Sequence, residues 1–303
     1  MQLTLASEFY GRLTRALEEH DLVTLASLYH PDAVQLSADS GRVLRGTAAI
    51  VAAADNMLQA AGPVRTLSTE SFVECGDVLC VEATQALRSL EVETYDVFAL
   101  RAGAVQFQFS GMLAPRPAAL PESASVPATP ERWIYDQYRS AAEARDYAQL
   151  YGLISADAVD IHASFGIARQ GRDAILHAAR SEEHQSSPPR LKAITCVVEA
   201  PGLIGVEAVI TESLRLPGGG IFGLPGGPAH DVHCYEFLVL RDGVIRCRVL
   251  GLISPSPEEL EEIVAESVDQ IRRTQQAKRE MRKMVNENLR HTGRMLGNPP
   301  WLR

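Results

Sequence analysis

Asp32-Ala33-Val34, followed by Gly41, Gly46 and Ala49-Ile50, occurs twice in this chain: 125 positions on stand Asp157-Ala158-Val159, Gly166, Gly171 and Ala174-Ile175. Outward from there the same shift lays Tyr10 on Tyr135, Asp21 on Asp146, Arg65 on Arg190, and Val81-Glu82-Ala83 on Val206-Glu207-Ala208. Beyond it, a shift of 140 lays Tyr95, Leu100-Arg101, Gly103 and Gly111 on Tyr235, Leu240-Arg241, Gly243 and Gly251, so the second copy carries about 15 extra residues. Matches at a fixed offset over this length mark an internal repeat. The 303 residues therefore divide into a first domain at 1–115, a linker at 116–128, a second domain at 129–255, and a C-terminal segment at 256–303. Four prolines between Ala114 and Ala128 make the linker extended.

Each copy reads the same way. Phe9, Tyr10, Leu13 and Leu17 recur at helical spacing. A short helix from Leu22 and a strand around Ala33–Leu36 follow, then a glycine turn and a third helix from Thr47. Longer strands are expected near 65–75, 78–90, 92–101 and 104–112, with turns at Gly76-Asp77 and Ala102-Gly103. Helices early and strands late predict an α+β fold. In the second copy, Thr129-Pro130-Glu131 reads as an N-cap with proline at the first helical position.

Composition narrows the function classes. Apolar residues at 46% and charged residues at 22% fit a globular protein rather than a disordered one. No stretch reaches the roughly 18 apolar residues of a membrane span. The first residues lack a basic region followed by an apolar run, so a secretory signal is not expected. Five cysteines without a CxxC pair fit a reducing cytoplasm and leave no zinc ribbon. Only three of 29 basic residues are lysine, which with the high alanine content suggests a bacterial GC-rich genome. Residues 272–303 carry nine basic and two acidic residues, leaving 20 basic and 36 acidic elsewhere. The acidic body opposes nucleic acid.

The order of elements resembles the nuclear transport factor 2-like fold. That family includes ketosteroid isomerase, limonene epoxide hydrolase, scytalone dehydratase and the SnoaL-type polyketide cyclases. The resemblance rests on Leu28-Tyr29-His30-Pro31-Asp32-Ala33-Val34, the helix start Gly46-Thr47-Ala48-Ala49-Ile50, and the hairpin Val97-Phe98-Ala99-Leu100-Arg101-Ala102-Gly103. It implies two cone-shaped, curved antiparallel sheets, each wrapped by N-terminal helices and enclosing one pocket. The copies would pack through their sheets as a pseudo-dimer within one chain. Tandem copies also resemble the layout of polyether epoxide-opening cyclases.

The resemblance further implies a tyrosine on the first helix, a base on the first strand and an acid on the penultimate strand. The base position lies 16 residues after Asp21 or Asp146 and nine before Gly46 or Gly171. The second copy then has Tyr138, His162 and Glu236, and the first has Leu13, Ser37 and Asp96. Imidazole titrates near neutrality and suits proton transfer. A phenol can donate to an oxyanion, and a carboxylic acid in an apolar cone would have a raised pKa and could donate too. The blander readings stay open: His162 as a satisfied polar group, Tyr138 as packing, Glu236 as a solvated glutamate. Asp39, Asp96 and Glu82 are candidate carboxylates of the first copy. Glu82 and Glu207, at the same strand position, would mark a shared structural hydrogen bond.

The insertion 216–229 holds six glycines and three prolines, and lacks the lysine of a phosphate loop. It is either a hairpin tip or a lid placing Ile221, Phe222 and Leu224 over the second site, with Phe222 the binding candidate. His230 and His233, three apart on a strand, face opposite sides, so no metal site is expected. Ser256-Pro257-Glu258-Glu259 begins an expected long helix to about Arg294, whose apolar stripe Leu260, Ile263, Val264, Val268 and Ile271 needs the body or a second chain. The expected function is a cofactor-free isomerase, cyclase, dehydratase or epoxide hydrolase acting on an apolar, polyketide-like small molecule. The alternative is a non-catalytic ligand-binding or assembly protein; under either reading the C-terminal helix is a candidate homodimer contact.

Overall fold

The structure, a computed structural model, describes residues 5–88, 90–113, 129–183, 190–213 and 229–253. The linker, most of the insertion including Phe222, and the expected C-terminal helix lie outside the described residues. Among the described residues no helix is long and apolar enough to cross a membrane.

The first half runs α1 (Leu5–Glu18), α2 (Leu22–Ser27), β1 (Tyr29–Ser37), β2 (Arg42–Arg45), α3 (Thr47–Ala61), β3 (Val64–Cys75), β4 (Val78–Leu87), β5 (Leu90–Arg101) and β6 (Ala104–Met112). The second half repeats it with α4 (Pro130–Ala144), α5 (Tyr147–Leu153), β7 (Ile154–His162), β8 (Ile167–Gln170), α6 (Arg172–Glu183), β9 (Arg190–Ala200), β10 (Leu203–Ser213), β11 (Ala229–Arg241) and β12 (Val244–Leu252). Several residues matched between the repeats are the ones that set element ends. Asp21 caps α2 by accepting from the backbone N–H of Val23 and Thr24, and Asp146 caps α5 by accepting from that of Gln149. Gly46 and Gly171 take positive φ of 79° and 90°, and their N–H groups donate to Ala33 and Ala158 carbonyls at 2.7 and 2.8 Å. Thr129 caps α4 with Pro130 at the first position, as its sequence predicts.

Both halves form six-stranded sheets of identical order, β2-β1-β6-β5-β4-β3 and β8-β7-β12-β11-β10-β9. The expected all-antiparallel sheets are corrected here: each is mixed, because β1 pairs parallel with β6 and β7 parallel with β12. The chain leaves β1 by a hairpin, and α3 links β2 to β3 at the opposite edge. Three further hairpins then return β6 beside β1 pointing the same way. The short edge strands β2 and β8 were not foreseen. Four residues with little burial give almost no periodic signal.

Strand alternation sorts the residues onto two faces. On β5, Tyr95, Val97 and Ala99 point to the second sheet, while Phe98 lies in the cluster under α1 with Phe9, Leu13, Leu79 and Val81. One apolar core joins the two sheets, with Leu36, Tyr95, Val97 and Phe109 from the first and Ile161, Tyr235, Phe237 and Val249 from the second. Tyr95 and Tyr235 stack with centroids 3.8 Å apart and planes 3° off parallel. The Tyr95 hydroxyl donates to Glu207 at 2.9 Å and that of Tyr235 to Glu82 at 2.8 Å. Such reciprocity, residue i on j and j on i, is the signature of two-fold related surfaces. The glutamates that recur in the sequence therefore do hold a shared hydrogen bond. Gly111 and Gly251 lie opposite the tyrosines in register, and a Cβ at either would overlap the tyrosine ring.

Candidate functional site

The other face of each sheet lies under its helices, and there the halves differ. In the second half, Tyr135, Tyr138 and Arg139 share one side of α4 by their i, i+3, i+4 spacing. Asp160 and His162 share one side of β7, Glu236 stands on β11, and Arg248 stands on β12 beside it. Arg248 ties these together. Its Nε donates to Glu236 at 2.6 Å, and its Nη1 reaches Asp160 at 2.8 Å and His162 Nε2 at 3.3 Å. Its guanidinium also lies 5.4 Å from the Tyr138 ring centroid, within cation–π range. Arg169, from the edge strand β8, adds contacts of 3.3 Å to Asp160 and 3.5 Å to His162 Nε2. Guanidinium only donates, so toward both arginines that nitrogen is the acceptor. Asp160 Oδ2 lies 3.3 Å from the same nitrogen.

Electrostatics follow from these contacts. Burial pushes the Glu236 carboxyl up, but Arg248 and Arg139 outweigh it and the net direction is down. Burial likewise raises Asp160, and Arg248 reverses it, holding the carboxyl well below the usual range. Burial works against the charge of Arg248, which the ionised Glu236 and Asp160 more than restore. Tyr138 is pushed up to about 12, mainly by burial, and stays a proton donor.

In the first half the position matching Glu236 is held by Asp96. Asp96 accepts from the Gln108 amide at 3.0 Å, and the Gln108 carbonyl accepts from the Tyr29 hydroxyl at 2.7 Å. Burial, aided by the charge of Asp39, lifts Asp96 to about 7. Asp39 itself is exposed at the end of β1 and accepts from the Met112 backbone at 3.1 Å. Leu13 packs in the apolar cluster, and the Ser37 hydroxyl accepts from Ser40 at 3.0 Å.

His162, Tyr138 and Glu236 thus meet through one arginine, whereas Asp39 and Asp96 face each other only electrostatically. The carboxylic acid with a raised pKa expected at Glu236 occurs instead at Asp96: in the second half the same position faces guanidinium groups and is ionised. Asp160, Arg139, Arg169 and Arg248 were missed. The signal was present in the repeat, since they replace Gln35, Thr14, Leu44 and Gln108.

Residues 10–107 match the family model of the SnoaL-like domain. The first half of this chain is therefore a SnoaL-like domain, and the second half repeats its strand order on a second sheet. Among solved structures, a protein provisionally named polyketide cyclase from Xanthomonas campestris pv. campestris is 17% identical, with 46% of this chain and 97% of that chain covered at a TM-score of 0.36. One provisionally named ketosteroid isomerase from Kribbella flavida is 14% identical, with 42% and 83% covered at 0.32. An LEH-like epoxide hydrolase from M. tuberculosis is 18% identical, with 36% and 82% covered at 0.30. A search of curated protein sequences finds no match.

Proposed function

We propose that this protein is an isomerase- or cyclase-type enzyme that works without a cofactor on a small, largely apolar molecule, with its working site in the second domain. His162 moves the proton and Tyr138 donates to the oxygen on which charge develops. The observation that carries this reading is Arg248, which contacts Glu236 and His162 and lies over Tyr138. Glu236 is ionised, so its role is to position Arg248 and Arg139. Buried guanidinium groups beside a protonated phenol favour a transition state that gains negative charge. The first domain then serves as the pseudo-dimer partner.

The test is product formation from a panel of cyclic ketones, epoxides and β-hydroxy carbonyl compounds without added cofactor. Proton transfer by a positioned group is worth about 10²–10⁴-fold. His162→Ala is expected to lose that much turnover, and Ser37→Ala little. A damaging Ser37→Ala beside a silent His162→Ala would place the site in the wrong half.

A second reading rests on Asp96, held by the Gln108 amide at 3.0 Å, whose carboxyl burial pushes up to about 7. A carboxyl poised there suits general acid–base work at neutral pH. Under this reading Asp96→Asn abolishes turnover and His162→Ala does not.

A further inference from the structure

Arg139 is the buried charge that the network leaves incompletely satisfied. It is 6% exposed, on the face of α4 that carries Tyr135 and Tyr138. Its Nη1 lies 3.8 Å from Glu236 Oε2, beyond hydrogen-bond distance, while Arg248 holds the other oxygen of that carboxylate at 2.6 Å. Nε and Nη2 of Arg139 are buried and have no hydrogen-bond partner among the described residues. A buried charged donor without an acceptor costs more than almost any other polar defect. The two atoms are also not an arbitrary pair. The N–H groups of Nε and Nη2 run parallel along one edge of the planar guanidinium, the edge that receives the two oxygens of a carboxylate. The matching position in the first half is Thr14, whose hydroxyl is satisfied within its own helix by the Tyr10 carbonyl at 3.1 Å.

We infer that the Nε/Nη2 edge of Arg139 receives the carboxylate of an organic acid, so that the molecule bound in the second domain is an apolar acid rather than a neutral one. The inference rests on the proposed siting of function in the second domain and narrows its substrate class. The acid group satisfies the open edge of Arg139. The apolar remainder lies beside the Tyr135 and Tyr138 rings, within reach of the groups gathered by Arg248. Glu236, already shared between two guanidinium groups, positions Arg139 without closing its open edge.

The probes are 2-naphthoate and its neutral isostere 2-naphthamide, titrated calorimetrically into the full chain. Charge-assisted bidentate bonds predict that wild type prefers the acid by about 10-fold or more. Arg139→Gln erases that preference. Arg139→Lys, which keeps the charge and removes the fork, retains only a small part of it. Equal binding of acid and amide, no binding of the acid by wild type, or a preference that survives Arg139→Gln would each overturn the inference. Should Arg139→Gln fail to fold, the acid–amide comparison in wild type and Arg139→Lys decides. Turnover of a neutral substrate that survives Arg139→Gln leaves the proposed function standing and removes the carboxylate site. Acid-selective binding lost in Arg139→Gln, with no turnover of any substrate, does the opposite.

Discussion

The two halves present matched residues where their sheets meet and unlike residues where their helices lie. Across the sheets, Tyr95 answers Tyr235, Glu82 answers Glu207 and Gly111 answers Gly251, each in the same structural role. Under the helices, Gln108 faces Arg248, Gln35 faces Asp160 and Thr14 faces Arg139 in the repeat alignment. The difference teaches which constraint acts where. A two-fold contact needs each residue twice, so change in one copy damages both sides of the interface. Among the described residues each set of α-helices packs on elements of its own half, and each covered face can take its own chemistry. One now holds Asp96, raised toward neutrality, and the other a charged cluster.

The largest expected effect separates the halves. Arg248→Met leaves Glu236 and Asp160 buried without their main counter-charge, and breaking such a pair costs about 3–5 kcal/mol. Gln108→Met, its counterpart, removes neutral bonds worth roughly 1 kcal/mol to Asp96 and Tyr29. Urea unfolding of both variants measures the contrast, and equal losses would dissolve it.

The next effect joins the halves. Gly111→Ala and Gly251→Ala each drive a Cβ into a buried tyrosine ring, and overpacking of that kind costs about 1–3 kcal/mol. The two losses are expected to be similar. A large loss at one glycine beside a silent change at the other would mean that the reciprocal contact is not what holds the sheets.

pH sharpens the comparison further. Asp96 is raised on folding, so the folded state binds the extra proton. The stability this lends is present below about pH 4 and lost as pH rises through about 7. Asp96→Asn is therefore expected to raise the melting temperature at pH 8, by roughly 1–3 kcal/mol in stability, and to do little at pH 4. Glu236 is lowered, so its contribution has the opposite sign: present above its ordinary range and lost as pH falls through its folded value. Glu236→Gln is expected to destabilise at pH 7 and to lose that effect in acid. Thermal melts across pH would contradict this if both variants moved the same way. The smallest effect is Tyr95→Phe or Tyr235→Phe, about 1–2 kcal/mol each for one buried bond to a carboxylate, read by the same melts.

The repeat made the fold legible, because caps such as Asp21 and Asp146 and turn glycines such as Gly46 and Gly171 keep their identity wherever the backbone needs them. Glu82 and Glu207 were legible for the same reason. The parallel pairing of β1 with β6 was not, since strand direction depends on where a crossover lands rather than on any residue pattern. The family resemblance implies His162, Tyr138 and Glu236 together, but not the sign of the Glu236 shift. It is set by Arg248 and Arg139, which come from β12 and α4 and join it only in three dimensions. Both arginines stand where the first copy has neutral residues, Gln108 and Thr14, so the differences within the repeat carry that signal.

The opposed electrostatics of one fold used twice are tested most directly by carbon-13 NMR titration of the aspartate and glutamate side-chain carboxyls, with assignments from Asp96→Asn, Asp160→Asn and Glu236→Gln. The expected result is an Asp96 signal titrating near pH 7, with Glu236 and Asp160 still ionised below the ordinary carboxylate range. A Glu236 signal that titrates at or above the pH of Asp96 would contradict it.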